Sequence, residues 1–251
     1  MTQAITNGAD SPAAAGEEVA TCLDLLARIH DREADAEFLL GLRDNAIGSW
    51  LEGVFAGSPA SDACGHFSAA VADLPAPLDD ITLDKLASEY ADIYLTHAYR
   101  VSPNGSVWLT EDSLERQEPM FETRKWYDHY GVEVPDWRLR PDDNLVHQLQ
   151  FVAFLLRHDS DHARGDAARF LDTGLLRWLP HFVDGVVARS SSGFYRATAE
   201  LTGAAVDEIR DMLARETGIG RPVPVADGTG QDSDKSELAA QAYFPGQAES
   251  W

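Results

Sequence analysis

Residues 144–158, NLVHQLQFVAFLLRH, decide the fold. Leu145, Leu149, Val152 and Leu156 recur at helical spacing, and Phe151, Phe154 and Leu155 widen that stripe. A helix apolar on most of its sides belongs in the middle of a fold, packed on several neighbours. Its uninterrupted apolar core, residues 151–156, is far too short to span a bilayer. Just ahead of it stand Asp142 and Asp143, where a helix N-terminus favours negative charge.

Reading outward, the same period returns on both sides. Residues 161–189 read as one or two helices, with breaks near Thr173-Gly174 or Leu179-Pro180, and residues 192–216 as a last one. Upstream, residues 17–30 carry Val19, Cys22, Leu23, Leu26 and Ile29 on one stripe. Residues 34–55 continue with Phe38, Leu39, Leu42, Ile47, Leu51 and Val54, although Gly41 and Gly48 weaken that helix. Residues 61–74 form a shorter candidate closed by Pro75 and Pro77. Residues 83–95 follow a possible Thr82 cap. Residues 97–109 read as a loop with a Pro103-Asn104-Gly105 turn. Thr110 then caps a helix with Glu111 and Asp112 in its first turn; it is kinked at Pro119 and stops at Gly131. Residues 132–141 form a second loop. No sustained alternation marks a strand, and no fixed period marks a repeat.

The expectation is therefore an all-α, single-domain bundle of about eight to ten helices over residues 17–217. Residues 1–16 and 218–251, rich in small and polar residues, read as flexible tails. In the second tail, Tyr243, Phe244, Pro245 and Trp251 either dock on the body or hang in solvent.

The chain has 42 acidic and 20 basic residues, for a formal charge of −22. That charge repels phosphates, so general nucleic-acid binding is excluded as a first reading. It suits a solvated, even salt-adapted, surface or a basic partner. Two cysteines, Cys22 and Cys64, have neither a metal-ligand spacing nor the number for a disulfide framework. Residues 1–16 lack a basic start and an apolar run, so no secretory signal is expected. A reduced, cytoplasmic setting fits both observations, and no stable membrane insertion is expected.

Catalytic signatures are absent: no phosphate-binding glycine loop, no G-x-S-x-G, no H-E-x-x-H. The competing reading is a helical metal-dependent phosphohydrolase built on His147, His158, Asp159 and His162. A histidine at a helix end also serves simply to complement the C-terminal dipole. What remains suits binding. The loop from Ser102 to Trp108 and the helix start at Pro141-Asp142-Asp143-Asn144 combine aromatics, small polar groups and carboxylates.

Those residues also carry a resemblance. Glu89-Tyr90, Asp92 and Tyr94-Leu95, followed by Pro103-Asn104-Gly105-Ser106-Val107-Trp108, resemble the first signature of the TorD/DmsD family. Pro141-Asp142-Asp143-Asn144-Leu145 with Gln148-Leu149-Gln150-Phe151 resembles the second. A weaker third lies at Phe170-Leu171, residues 175–180 and Phe194-Tyr195. The nitrate-reductase chaperone branch is a close relative.

The resemblance implies an all-helical cytoplasmic chaperone without cofactor, metal or catalytic activity. Its partners would be the apo catalytic subunit of a molybdenum oxidoreductase and that subunit's twin-arginine signal peptide. The implied peptide-binding residues are Tyr90, Tyr94, Pro103, Ser106, Val107, Trp108, Asp142, Asp143 and Asn144. One departure stands out. Family members commonly carry His directly after the paired acids, whereas this chain has Asn144, which hydrogen-bonds but never charges.

Overall fold

The computed structural model describes residues 12–96, 99–158 and 160–222. Among them are eleven α-helices, one more than the upper expectation, together with one 3₁₀ turn and no strand. The order is α1 (Pro12–Asp31), α2 (Ala36–Asp44), α3 (Ile47–Val54), α4 (Ser61–Ala72), α5 (Asp80–Tyr94), α6 (Gly105–Leu109) and α7 (Glu118–His129). Then follow α8 (Leu145–Arg157), α9 (Asp161–Thr173), the 3₁₀ turn Leu175–Arg177, α10 (Leu179–Arg189) and α11 (Gly193–Thr217).

The central helix is the one the apolar stripe singled out. Nine of the thirteen residues of α8 are buried, which requires partners on several sides. Helix α1 packs along it most extensively, and α9 covers another flank. The 25-residue α11 is the second axis, contacting α4, α9 and α10. Phe67, Phe170, Trp178, Phe182, Phe194 and Tyr195 fill the shared core, each under 2% exposed.

Several boundaries differ from the sequence reading, each for a local reason. Helix α1 begins at Pro12 rather than residue 17; proline suits a first turn, where its missing N–H costs nothing. The stretch 34–55 is two helices, broken at Asn45-Ala46 rather than at a glycine, with Ala46 left-handed at φ 49°. Asp79, not Thr82, caps α5: its carboxylate accepts from the Thr82 N–H at 2.8 Å. The expected loop at 97–109 contains α6; residues 97 and 98 lie outside the described set. Thr110 starts no helix. Helix α7 begins at Glu118 with Pro119 in its first turn, so that proline opens the helix instead of kinking it. Both breaks anticipated in 161–189 occur.

The tails are only partly within view. Residues 1–11 and 223–251, with Tyr243, Phe244, Pro245 and Trp251, lie outside the described residues. The segment from Gly218 to Gly220 is held against the bundle. Arg210, fully buried on α11, donates to the Ile219 and Gly220 carbonyls and forms a bidentate pair with Asp172 at 2.8 and 2.7 Å. No helix among the described residues is long and apolar enough to cross a membrane.

Candidate peptide-binding site

Two segments far apart in sequence meet at one point. The backbone of 103–106 runs against that of 143–145: the Leu145 N–H donates to the Pro103 carbonyl at 2.7 Å, and the Gly105 N–H to the Asp143 carbonyl at 3.0 Å. Asn104 and Asn144 form an isolated antiparallel bridge, and the Asn144 amide donates to the Asn104 side-chain oxygen at 2.7 Å. Asn144 also caps α8, its oxygen accepting from the Val146 N–H at 3.0 Å. The cap of α8 is thus Asn144 rather than the acidic pair before it. One amide makes both bonds because it is donor and acceptor at once.

Asp143 sits at the centre of this knot. One carboxylate oxygen accepts from the Ser106 N–H at 2.6 Å and from the Ser106 hydroxyl at 2.5 Å. Its other oxygen is buried without a hydrogen-bond partner. Burial therefore pushes the Asp143 carboxyl above the usual range, against the lowering effect of the Ser106 bonds. Gln148 donates to the Asp143 carbonyl at 2.9 Å, and Gln117 to the Ser106 hydroxyl oxygen at 3.2 Å. Glycine is required at 105: a Cβ there would lie 2.9 Å from the Trp178 indole nitrogen.

Asp142 looks the other way. Its carboxylate takes two bonds from Arg124 on α7, at 3.1 and 2.7 Å. Its side chain is 4% exposed, whereas that of Arg124 is 29% exposed and closes the site toward solvent. The Arg124 guanidinium lies 5.0 Å from the Trp137 ring and 5.5 Å from the exposed Phe121 ring. The pair with Asp142 raises the Arg124 pKa further above its ordinary value. Behind it, the Tyr127 hydroxyl donates to the Asp142 carbonyl at 2.9 Å, and His147 Nδ1 meets the Pro141 carbonyl at 3.0 Å.

Tyr127 and His147 also line an apolar groove of about 190 Å³, walled by Val132, Val134, Pro135, Phe151 and Phe154, with Glu133 at its edge. The groove and the Asp142–Arg124 pair therefore share their supports.

The residues expected to bind peptide divide into three placements. Pro103, Ser106, Asp142, Asp143 and Asn144 are brought together, and all are buried. Val107 and Trp108 are half-buried beside them; the Trp108 indole donates to the Ser102 carbonyl at 2.8 Å and stacks on His181. Tyr90 and Tyr94 lie apart from the knot, around His30 of α1. The Tyr94 hydroxyl is 2.6 Å from His30 Nδ1, and the Tyr90 hydroxyl reaches the His30 carbonyl at 3.4 Å. Glu89, beside them in sequence, turns to the N-terminus of α11 and accepts from the Ser191 and Ser192 N–H groups. The sequence reading missed Arg124, Phe121 and the loop side of the groove, Val132, Val134 and Pro135. No spacing links Arg124 and Phe121 to the 141–144 segment; only the approach of α7 does.

The alternative metal cluster does not assemble. His147 and His158 are eleven residues apart on α8, or about 16 Å along its axis, too far to share an ion. His158 sits at the C-cap of α8, and Asp159 lies outside the described residues.

Comparison with known proteins bears on the whole constellation. Residues 61–184 match the family described as nitrate reductase delta subunit. The chain is similar to the chaperone protein TorD of Vibrio vulnificus, 29% identical over 127 residues, or 47% of this chain and 59% of that one. It is similar to TorD of Salmonella arizonae at 28% over 206 residues, covering 78% of this chain and 91% of the relative. It also resembles the Tat proofreading chaperone DmsD of Salmonella typhi, 26% identical over 99 residues, 39% of this chain and 47% of the relative. The match to the Vibrio vulnificus protein thus spans less than two thirds of that relative's length.

Proposed function

The chain belongs to the TorD/DmsD family of molybdoenzyme maturation chaperones, and from that premise we propose that it binds a client polypeptide and is not an enzyme. The client is the apo catalytic subunit of a molybdenum oxidoreductase, held in the cytoplasm until its cofactor is inserted and its twin-arginine signal peptide is released for export. The candidate contact region is the rim of the segment the two signatures build: Asp142 with Arg124, Trp137 and the groove, on a scaffold of Pro103, Ser106, Asp143 and Asn144, with Val107 and Trp108 half-buried beside it and Tyr90 and Tyr94 apart.

One observation carries the peptide reading: the Asp142–Arg124 pair, tied through Tyr127 and His147 to the apolar groove that those two side chains line. A twin-arginine signal has a cationic start followed by an apolar stretch. Asp142 already holds a guanidinium in a bidentate grip, and that guanidinium comes from a partly exposed side chain. An incoming arginine can replace Arg124 like for like, so the buried carboxylate is never left unpaired. The apolar stretch then has the groove and the Trp137 ring beside it. Asp143 stays within the scaffold, because Ser106 already engages it.

The exchange makes a distinctive prediction. Removing the internal competitor, Arg124→Gln, should tighten binding of a twin-arginine peptide several-fold. Asp142→Asn should weaken it about tenfold, the scale of a charge-assisted hydrogen bond. Affinity of the unaltered chain should fall as salt rises from 0.1 to 0.5 M. Fluorescence anisotropy with a labelled peptide reads all three. Equal affinity in both variants, with no salt dependence, overturns the site. An Arg124→Gln variant that binds more weakly overturns the exchange.

A further inference from the structure

Away from the groove, three ligating side chains converge where α7 ends and α9 begins. They are His129, the last residue of α7, and His162 and Asp166, one turn apart on α9. Their donor atoms lie within 4.8 Å of one another. His162 Nε2 is 3.4 Å from an Asp166 carboxylate oxygen. Two bonds of about 2.05 Å at the tetrahedral angle put their donor atoms about 3.3 Å apart, so this pair already spans one edge of a zinc tetrahedron.

The remaining features fit the same reading. Asp166 is fully buried, and the Tyr130 hydroxyl donates to the same oxygen at 2.8 Å while Arg169 holds the other at 3.2 Å. A ligating carboxylate fixed by outer hydrogen bonds is the usual support of a metal centre. Both histidines are exposed, with ring centroids 6.4 Å apart. A rotation of His129, at the very end of its helix, closes the third corner. The C-terminal carbonyls of α7 favour a cation and the first turn of α9 disfavours one, so the two helix ends offset.

We propose that His129, His162 and Asp166 form a binding site for a divalent transition ion of the zinc class, its fourth position open to water. The two-nitrogen, one-oxygen donor set selects such an ion over magnesium or calcium, which prefer oxygen cages. The site is separate from the peptide region and departs from the expectation of no metal. It uses His162 of the earlier histidine cluster, but with His129 and Asp166 in place of His147, His158 and Asp159. Bound metal would tie the end of α7 to the start of α9.

The test uses the full chain, first stripped with a chelator. Zinc titrated against a chromophoric competitor should bind at one ion per chain. His129→Ala and His162→Ala should each weaken binding at least tenfold, while a tenfold excess of magnesium should not compete. Cobalt should give the visible absorption of a tetrahedral site, absent in both variants. Both histidines are exposed, so the variants should keep the unaltered far-ultraviolet circular dichroism. No stoichiometric zinc, or zinc binding that both substitutions leave unchanged, overturns the proposal.

Discussion

The knot around Asp143 and the rim around Arg124 lie on opposite sides of one peptide bond, yet they obey different physics. At the knot, Ser106, Asp143, Asn144 and Gln148 are at most 6% exposed and bonded mostly to one another. At the rim, Arg124, Trp137 and Phe121 are at least partly exposed and meet through ring-face contacts. The first arrangement is costly to disturb and offers little to a visitor. The second is cheap to rearrange and has an open side. Residues that carry a family signature can thus be scaffold, while the surface proposed to meet a partner lies next to them and is weakly marked in sequence.

The sharpest way to break this contrast is at Asp143. Asp143→Ala leaves the Ser106 N–H and hydroxyl unpaired in a buried site, and should cost about 3 kcal/mol in urea unfolding at pH 7. Asp143→Asn keeps an acceptor and removes a charge. Burial holds the carboxyl pKa above its unfolded value, so ionisation penalises the folded state once pH exceeds that range. The asparagine variant should therefore lie within about 1 kcal/mol of the parent at pH 7. Equal losses for both would mean that the charge itself, and not the acceptor, holds the two segments together.

What was legible beforehand follows the same division. Long stripes such as 145–156 predict their helices because burial acts on every turn alike. The Pro141–Asn144 and Pro103–Trp108 segments were legible as a pair through the resemblance, and the structure joins them. Their internal roles were not. Whether Asp142 or Asp143 faces out depends on one turn of backbone, and Arg124 arrives from a helix that starts seven residues later than the sequence pattern suggests. Thr-Glu-Asp at 110–112 has capping composition without starting a helix; Pro119, lacking an N–H, fixes the true start close to itself.

The tyrosines expected at the site sharpen the contrast in a second way, through pH. Tyr94 and Thr202 enclose His30, which is 3% exposed. Thr202 spends its own proton on the Thr198 carbonyl, so His30 Nε2 donates to Thr202 and Nδ1 accepts from Tyr94: a neutral ring. Burial lowers its pKa to about 3. Above pH 6.5 the ring is neutral in folded and unfolded chains alike, and its full stabilisation is present. Below that value the unfolded chain takes up a proton that the folded one refuses. Stability should then fall by about 1.4 kcal/mol per pH unit from this group until the folded pKa is reached. His147, also lowered by burial, adds a contribution of the same sign. Comparing urea midpoints of the parent and His30→Gln between pH 7 and 4.5 isolates His30. Parallel curves would place Tyr94 and its partner on the adaptable side of the molecule.

The smallest stability effect belongs to the rim, and it is the most informative about function. Trp137 is half-buried on the loop between α7 and α8, with the Arg124 and Arg138 guanidinium groups 5.0 and 4.9 Å from its ring. No core side chain depends on it, so Trp137→Ala should cost about 0.5 kcal/mol or less in unfolding. If an arriving arginine takes the place of Arg124, it enters beside this ring and gains the same cation–π attraction, about 1 kcal/mol once water is displaced. Peptide affinity should then fall about fivefold in anisotropy titrations, while the melting temperature hardly moves. A large loss of stability with unchanged affinity would reverse the assignment, making Trp137 scaffold and moving the contact surface elsewhere on the groove.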